Sequence, residues 1–370
     1  MNAAIQSKVN NKRLELGHSK CFQMYIGNGK SNCPTLKVHS KDMLTANSER
    51  YLGDILSTDG KIEENLKKRQ SKGIGIVNQI IGLLGGISFG EFYFKTALLF
   101  RNSLLINGTL YNMEVLHGIQ KKHLEMIEEC DKILMRKLFN CPEGTPTEAF
   151  FLETSALPFR FILFGRRIMY YWTLLHKSKN ELASEVFEAQ KLFKTKDSWI
   201  VQVEDDMKYC EIDLTEEQIK KLSKYQMKKL VTKQIRKKAD EYLVQLRDSH
   251  EKTEHLNPIS KMNDYLQSLH MTKEEKILLF KLRIWMVPVK ANLSSSFKDN
   301  LQCDMCADKN SEESQMHLLH CKYLLDHPDL KLEILTIRYD DIFKDLQSQI
   351  KAIKVWKKIM SVRKIKLGIK

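Results

Sequence analysis

Glycine and proline are scarce in this chain, 16 and 7 among 370 residues. So few breakers over such a length favour helices joined by short connections. No stretch approaches the roughly 18–20 apolar residues of a membrane span. The apolar part of Ala156–Phe164 is interrupted by Pro158 and Arg160. Met1–Asn10 lacks the apolar core of a secretory signal. The expectation is an intracellular chain with no membrane partner, its eight cysteines kept as thiols. In that setting the sequons at Asn107 and Asn292 are chance matches. There is no internal repeat and no low-complexity segment. Gly73-Ile-Gly75 has neither a third glycine nor a preceding strand, which argues against a nucleotide-binding loop. Pro328-Asp329 has no Asp/Glu-x-Lys partner after it, so a nuclease core is not supported.

Basic charge, by contrast, is abundant: 60 Lys and Arg against 46 Asp and Glu, a formal net charge of +14. The excess is clustered. Gln218–Ala239 holds nine basic residues and no acid, Lys224, Lys228 and Lys233 among them. Leu346–Lys370 holds eight and again no acid. Clustered cations attract polyanions, with counterion release supplying much of the affinity. The plainer reading is a solvated, solubilising surface. RNA and DNA are the expected partners.

Along the chain, Cys21–Gly27, Leu36–His39 and Tyr51–Leu56 read as short strands, the last ending in an Asp59-Gly60 turn. From Lys61 onward helical spacing takes over. Ile62, Leu66, Ile74, Val77, Ile80, Ile81 and Leu84 define a helix that Gly82, Gly85 and Gly86 end. Further helices are expected over Phe89–Glu114, Lys121–Leu138 and Pro158–Lys177. Thr145-Pro146-Thr147-Glu148 reads as a helix start with Thr145 as the cap. Thr215-Glu-Glu-Gln218 opens a long basic helix to about Arg247, with Leu222, Met227 (or Gln226), Leu230 and Ile235 inward. Thr272-Lys-Glu-Glu275 opens another to about Trp285. A last helix spaces Leu346, Ile350, Ile353, Trp356 and Met360 on one face. The fold class is therefore mainly α, with a small N-terminal β element.

The strongest constellation is Cys303-x2-Cys306-x10-His317-x3-Cys321. Zinc takes four soft or borderline donors in a tetrahedron, and a C-x2-C turn aims two thiolates at one point. A His four residues before a Cys supplies two more ligands one helical turn apart. Four protein ligands fill the shell, so such a Zn2+ site is structural and leaves no place for a reactive water. His320 competes with His317, which is preferred because His320 abuts Cys321. Ordinary thiols are the alternative, but three of eight cysteines lie between 303 and 321.

Leu14-Glu-Leu-Gly-His-Ser-Lys20-Cys21, then Tyr51-Leu52-Gly53-Asp54-Ile55 with Asp59-Gly60, resembles the end of a reverse transcriptase palm and its primer-grip hairpin. Leu152-Glu153-Thr154, Leu157-Pro158-Phe159-Arg160 and Arg166-Arg167 are similar to a run beyond the thumb, and the cysteine cluster is similar to a downstream CCHC zinc knuckle. In this order the motifs resemble the C-terminal half of a non-long-terminal-repeat (LINE-type) retrotransposon reverse transcriptase polyprotein. The resemblance implies a palm-end β element over 1–60, a thumb-like bundle over 61–140, a helical linker with a basic helix over 141–298, the knuckle over 299–327 and a basic helix over 328–370. It further implies nuclear action and nucleic-acid contacts by Lys20, Tyr51, Leu52, Gly53, Arg160, Arg166 and Arg167. Lys20 reads equally as a solvated lysine before a strand, and the arginines as side chains snorkelling at a helix edge.

The family's Tyr-x-Asp-Asp pair, which holds two catalytic metals, precedes these segments. This chain begins after that point, so no residue is assigned a catalytic role, and Mg2+ enters only if the missing fingers–palm portion is supplied as a partner. Glu204-Asp205-Asp206 and Tyr339-Asp340-Asp341 are read as solvated charges. Two other possibilities are a polymerase active only with that portion and a helical protein-interaction module with a structural zinc. In a primer-extension assay with magnesium or manganese, the chain alone is expected to bind a primed RNA template on filters and to extend nothing. Template-dependent extension would return attention to Asp205, Asp206, Asp340 and Asp341.

Overall fold

A computed structural model describes residues 21–25, 35–38, 41–51, 53–86, 92–178, 181–196, 198–293, 301–306 and 311–368. It is mainly helical, with a small β element before residue 58. Phe22–Gln23 pairs in parallel with Leu44–Thr45, and Lys37–Val38 pairs antiparallel with Lys41–Asp42. Ser48–Tyr51 and Asp54–Ser57 form a hairpin with Tyr51 opposite Asp54. The expected single strand over Tyr51–Leu56 is thus two strands around a tight turn. Gly53 makes that turn feasible with φ of +99°, where a Cβ would be strained. The Asp59-Gly60 turn follows as expected, with Asp59 accepting from the Ser57 hydroxyl and the Lys61 N–H. Beyond residue 70, the described residues contain only one isolated bridge, Gln302 to Glu312.

The Glu63–Gly85 helix begins with two carboxylates, favourable at the positive end of a helix dipole, and ends at consecutive glycines. Its inner face, Leu66, Gly73, Val77, Ile80 and Leu84, packs on the Lys121–Phe139 helix. Between them in the chain runs Tyr93–Phe100, continued through a π-helical segment Arg101–Leu105 into Ile106–Thr109. The π segment carries Arg101 into the core, where it donates to both oxygens of Asp131 at 2.6 and 2.5 Å and to the Leu157 carbonyl at 2.7 Å. Wide helical turns of this kind often place a functional side chain; here it places a structural one.

Two helix starts differ from expectation. Thr145 does not cap: its hydroxyl donates to the Pro142 carbonyl, and the helix runs Thr147–Thr154 behind Pro146. The basic run is two helices. Thr215 caps a short one, Glu216–Lys221; then Leu222 turns extended, and Ser223 with Gln226 forms a second capping box that opens Lys224–Asp248. Its buried face is Met227, Val231, Ile235, Ala239 and Leu243, with Leu222 and Leu230 only half-buried. The Thr272 box forms as expected and opens Lys273–Arg283. Leu182–Leu192 and Trp199–Tyr209 are helices that sequence spacing does not signal.

Buried apolar side chains form two clusters. One gathers Phe94, Phe139, Phe150, Phe280 and Trp356. The other gathers Phe161, Ile168, Trp199, Val203, Met227 and Val231. Two helices feed both. Phe159–Leu175 gives Phe159 and Leu163 to the first and Phe161 and Ile168 to the second; Lys224–Asp248 gives Leu243 to the first and Met227–Ala239 to the second. The lysine-bearing helix is therefore pinned along its length.

Gly73 and Gly75 test the tight helical packing. A Cβ at Gly73 would lie 2.6 Å from Thr109 Cγ2 and 2.7 Å from Cys130 Sγ, whereas at Gly75 it meets nothing within 4 Å. Gly73→Ala is expected to destabilise by about 1–3 kcal/mol through overpacking. Gly75→Ala is expected to stabilise by roughly 0.5–1 kcal/mol through helix propensity. Urea-unfolding midpoints moving in opposite directions would bear this out; a shift of the same sign at both sites would refute it.

Candidate metal centre and basic face

A small hairpin and two short helices bring the four expected metal ligands together. Cys303 N–H donates to the Ser311 carbonyl and Glu313 N–H to the Leu301 carbonyl, so the two arms pair across the Gln302–Glu312 bridge. Cys303 and Cys306 lie on the first arm and the turn after it. Ser314 caps the Gln315–His320 helix through the His317 N–H, which presents His317 on its first turn. Cys321 is the N-cap of the next short helix, Lys322–Leu325.

Within this frame the donors of Cys303, Cys306, His317 and Cys321 all lie within 4.8 Å of one another. Cys303 Sγ is 3.9 Å from Cys321 Sγ, and Cys306 Sγ is 3.4 Å from His317 Nε2. Tetrahedral ligands about 2.3 Å from one ion would place their sulfurs roughly 3.8 Å apart. His317 is the histidine in the cluster; His320 is exposed and outside it.

The chemistry of the donor set points the same way. Burial pushes the Cys321 thiol up to about 12 and raises that of Cys303. The nearby backbone N–H groups of Cys306 and Met305 at the Cys303 sulfur, and of Leu324 and Tyr323 at the Cys321 sulfur, act in the opposite direction. Amides aimed at a sulfur favour the thiolate, while burial forbids a bare one. A cation at the centre removes the conflict, so the four residues could hold a metal ion.

Polar bonds that no sequence spacing signals seat this centre in the protein. Gln315 is fully buried; its Nε2 donates to the Leu282 carbonyl and to Tyr339 Oη, and its Oε1 accepts from Asn292. Glu313, also fully buried, pairs with Arg363 on the last helix, Leu346–Lys366. Lys290 reaches Asp304 at 2.6 Å and the Gln302 carbonyl at 2.9 Å. Buried polar residues follow no hydrophobic period, and their partners lie far away in the chain.

The residues proposed for nucleic acid are scattered. Lys20 and Leu52 lie outside the described residues. Tyr51 is exposed, and Gly53 sits against the Tyr111 ring. Asp54, at the end of their hairpin, anchors it to the helices through Arg69, Asn65 and Asn112. The three arginines are held internally. Arg160 donates to both oxygens of Glu128 at 2.7 and 2.5 Å. Arg166 donates to the Leu110 carbonyl and Asn107 Oδ1. Arg167, buried, pairs with Asp206 at 2.6 Å. Asp206 is accordingly not the solvated charge expected from sequence: burial pushes its carboxyl up to about 7, with Arg167 holding it lower than burial alone would. Asp341, half-buried, pairs with Lys344, while Asp340 is exposed.

The lysines differ. Lys220, Lys221, Lys224, Lys228, Lys229 and Lys233 are exposed and make no ion pair with a described residue. Further along, Lys237 and Lys238 pair with Glu211, and Arg236 with Asp240. No described helix is long and apolar enough to cross a membrane. No family model matches the chain, and neither does any curated protein or solved structure.

A bound metal should be separable from the rest of the fold, because in small metal modules metal affinity is folding free energy. Chelation is expected to expose the amides of residues 301–306 and 311–325 in hydrogen exchange while those of Glu63–Gly85 stay protected. Cys303→Ser and Cys321→Ser should lose bound metal, and Cys141→Ser, outside the cluster, should keep it. Equal metal content in all three variants would dismiss the site.

Proposed function

We propose that this chain is a nucleic-acid-binding protein whose C-terminal region is set by one structural zinc ion. The observation that carries the reading is the row of six exposed lysines without ion pairs over 220–233, on helices whose apolar faces are buried. Phosphate backbones are the polyanions such a row suits, since each neutralised phosphate releases counterions. Three thiolates and an imidazole in a closed shell favour zinc over the harder cations. The ordered motifs support descent from the C-terminal half of a LINE-type retrotransposon reverse transcriptase, with RNA or DNA template–primer as ligand and the nucleus as its place of action. In that setting the lysines grip backbone, and any nucleotidyl transfer would use Mg2+ held by a separate fingers–palm portion.

A second reading has one specific observation behind it. Val115, Tyr170, Leu174, Leu182, Val186 and Trp199 line an apolar groove of about 330 Å³, and Leu192 and Phe193 are exposed nearby in sequence. Such a groove suits a protein partner.

Lys224→Gln, Lys228→Gln and Lys233→Gln together are expected to weaken RNA and DNA binding without regard to sequence. The slope of log affinity against log salt should fall by about 0.7–0.9 for each phosphate that is no longer neutralised. Unchanged affinity and slope would leave the lysines a solvated face and favour the protein-partner reading.

A further inference from the structure

The lysine row surrounds one unusual side chain. Tyr225 stands in the first turn of the Lys224–Asp248 helix with 74% of its surface exposed. Its ring and hydroxyl touch no described ring, cation or hydrogen-bonding group. Lys228 and Lys229 lie three and four residues on, the spacing of neighbours on a helix surface. Lys224 is adjacent, and Lys221 is four residues before, across the helix break. Gln218–Ala239 contains no acid.

The break fixes this arrangement. Trp172 Nε1 donates to the Leu222 carbonyl at 3.0 Å, and His176 Nε2 lies 3.2 Å from the Lys220 carbonyl. Trp172 and His176 are themselves stacked, with ring centroids 4.0 Å apart. Ser223 then restarts the helix by capping, with its hydroxyl accepting from the Gln226 N–H. The ring is thus presented from a pinned backbone, at low entropic cost to a ligand that covers it.

Resting on the nucleic-acid reading above, we infer that Tyr225 is a base-stacking platform and that the ligand of this face is a single strand. A lone ring among phosphate-seeking cations can stack only on an unpaired base, because duplex bases already cover one another. Lipid is the poorer fit: an interfacial helix needs an apolar face to submerge, and here that face, Met227, Val231, Ile235 and Ala239, is buried in the protein.

The test uses the full metal-loaded chain, a short mixed-sequence single-stranded RNA and the same sequence as a duplex. Tyr225→Ala should weaken single-strand binding roughly 5- to 100-fold, the range expected when one base–aromatic stack is removed. Tyr225→Phe, which keeps the ring, should bind as wild type, and duplex binding should be the same in all three proteins. Vesicles rich in phosphatidylserine should not compete for the single strand. Single-strand binding indifferent to Tyr225→Ala, an equal loss on duplex, or competition by the vesicles would overturn the inference while leaving the lysine face in place. Failure of the wild-type chain to bind either RNA would overturn both.

Discussion

Convergence of Cys303, Cys306, His317 and Cys321 is the constraint on which the C-terminal region rests. The elements there are too brief to persist alone: Gln315–His320, Lys322–Leu325, Lys331–Ile334 and a single β-bridge. Isolated helices shorter than roughly 12–15 residues are marginal in water. A metal ion held by the four donors would replace the cooperativity that length would give. The same segment carries Glu313 to Arg363 and Gln315 to Leu282 and Tyr339, tying the Leu346–Lys366 and Lys273–Arg283 helices to the centre. Loss of the cluster would therefore strand two fully buried polar side chains as well as three thiols. Removing one partner of a buried ion pair alone costs about 3–5 kcal/mol.

Basic charge is divided by residue type. Arg101, Arg160, Arg167, Arg283 and Arg363 each answer a carboxylate at low exposure: Asp131, Glu128, Asp206, Glu153 and Glu313. A planar fork with several donors suits that task, and guanidinium is more weakly hydrated than ammonium. Most lysines stay outside, Lys276 and Lys290 being buried exceptions, and not all of the exposed ones are free. On the last helix Lys357 pairs with Glu275, Lys358 with Glu333, and Lys351 reaches the Thr336 carbonyl. The net charge of +14 is thus unevenly available: over 220–233 six exposed lysines stand without carboxylates, and Lys67, Lys68 and Lys72 form a smaller group of the same kind.

What can be read from the sequence is local. The long helices over 63–85 and 121–139 announce themselves by period, and the Thr215 and Thr272 boxes by a hydroxyl three residues before Gln or Glu. The cluster that could hold a metal is legible because all four of its residues fall between 303 and 321. The Ser223 box follows the same rule as Thr215 but lies inside a basic run with continuous helical spacing, which masks the break at Leu222. Thr145 misleads because Thr, Pro and Glu at the right spacing imitate a cap, while the Pro142 carbonyl takes the hydroxyl. Partners of Arg160 and Arg167 lie 32 and 39 residues away, a distance over which no spacing rule operates. Tyr225 gives no periodic signal either; its meaning comes from its exposure and the lysines around it.

The most direct measurement is lysine footprinting: acetylation rates of individual lysines in the metal-loaded chain, with and without single-stranded RNA. Protection of Lys220, Lys221, Lys224, Lys228, Lys229 and Lys233 is expected, with Lys357 and Lys358, which are held by carboxylates, unchanged. RNA binding that leaves the 220–233 lysines fully reactive would contradict it.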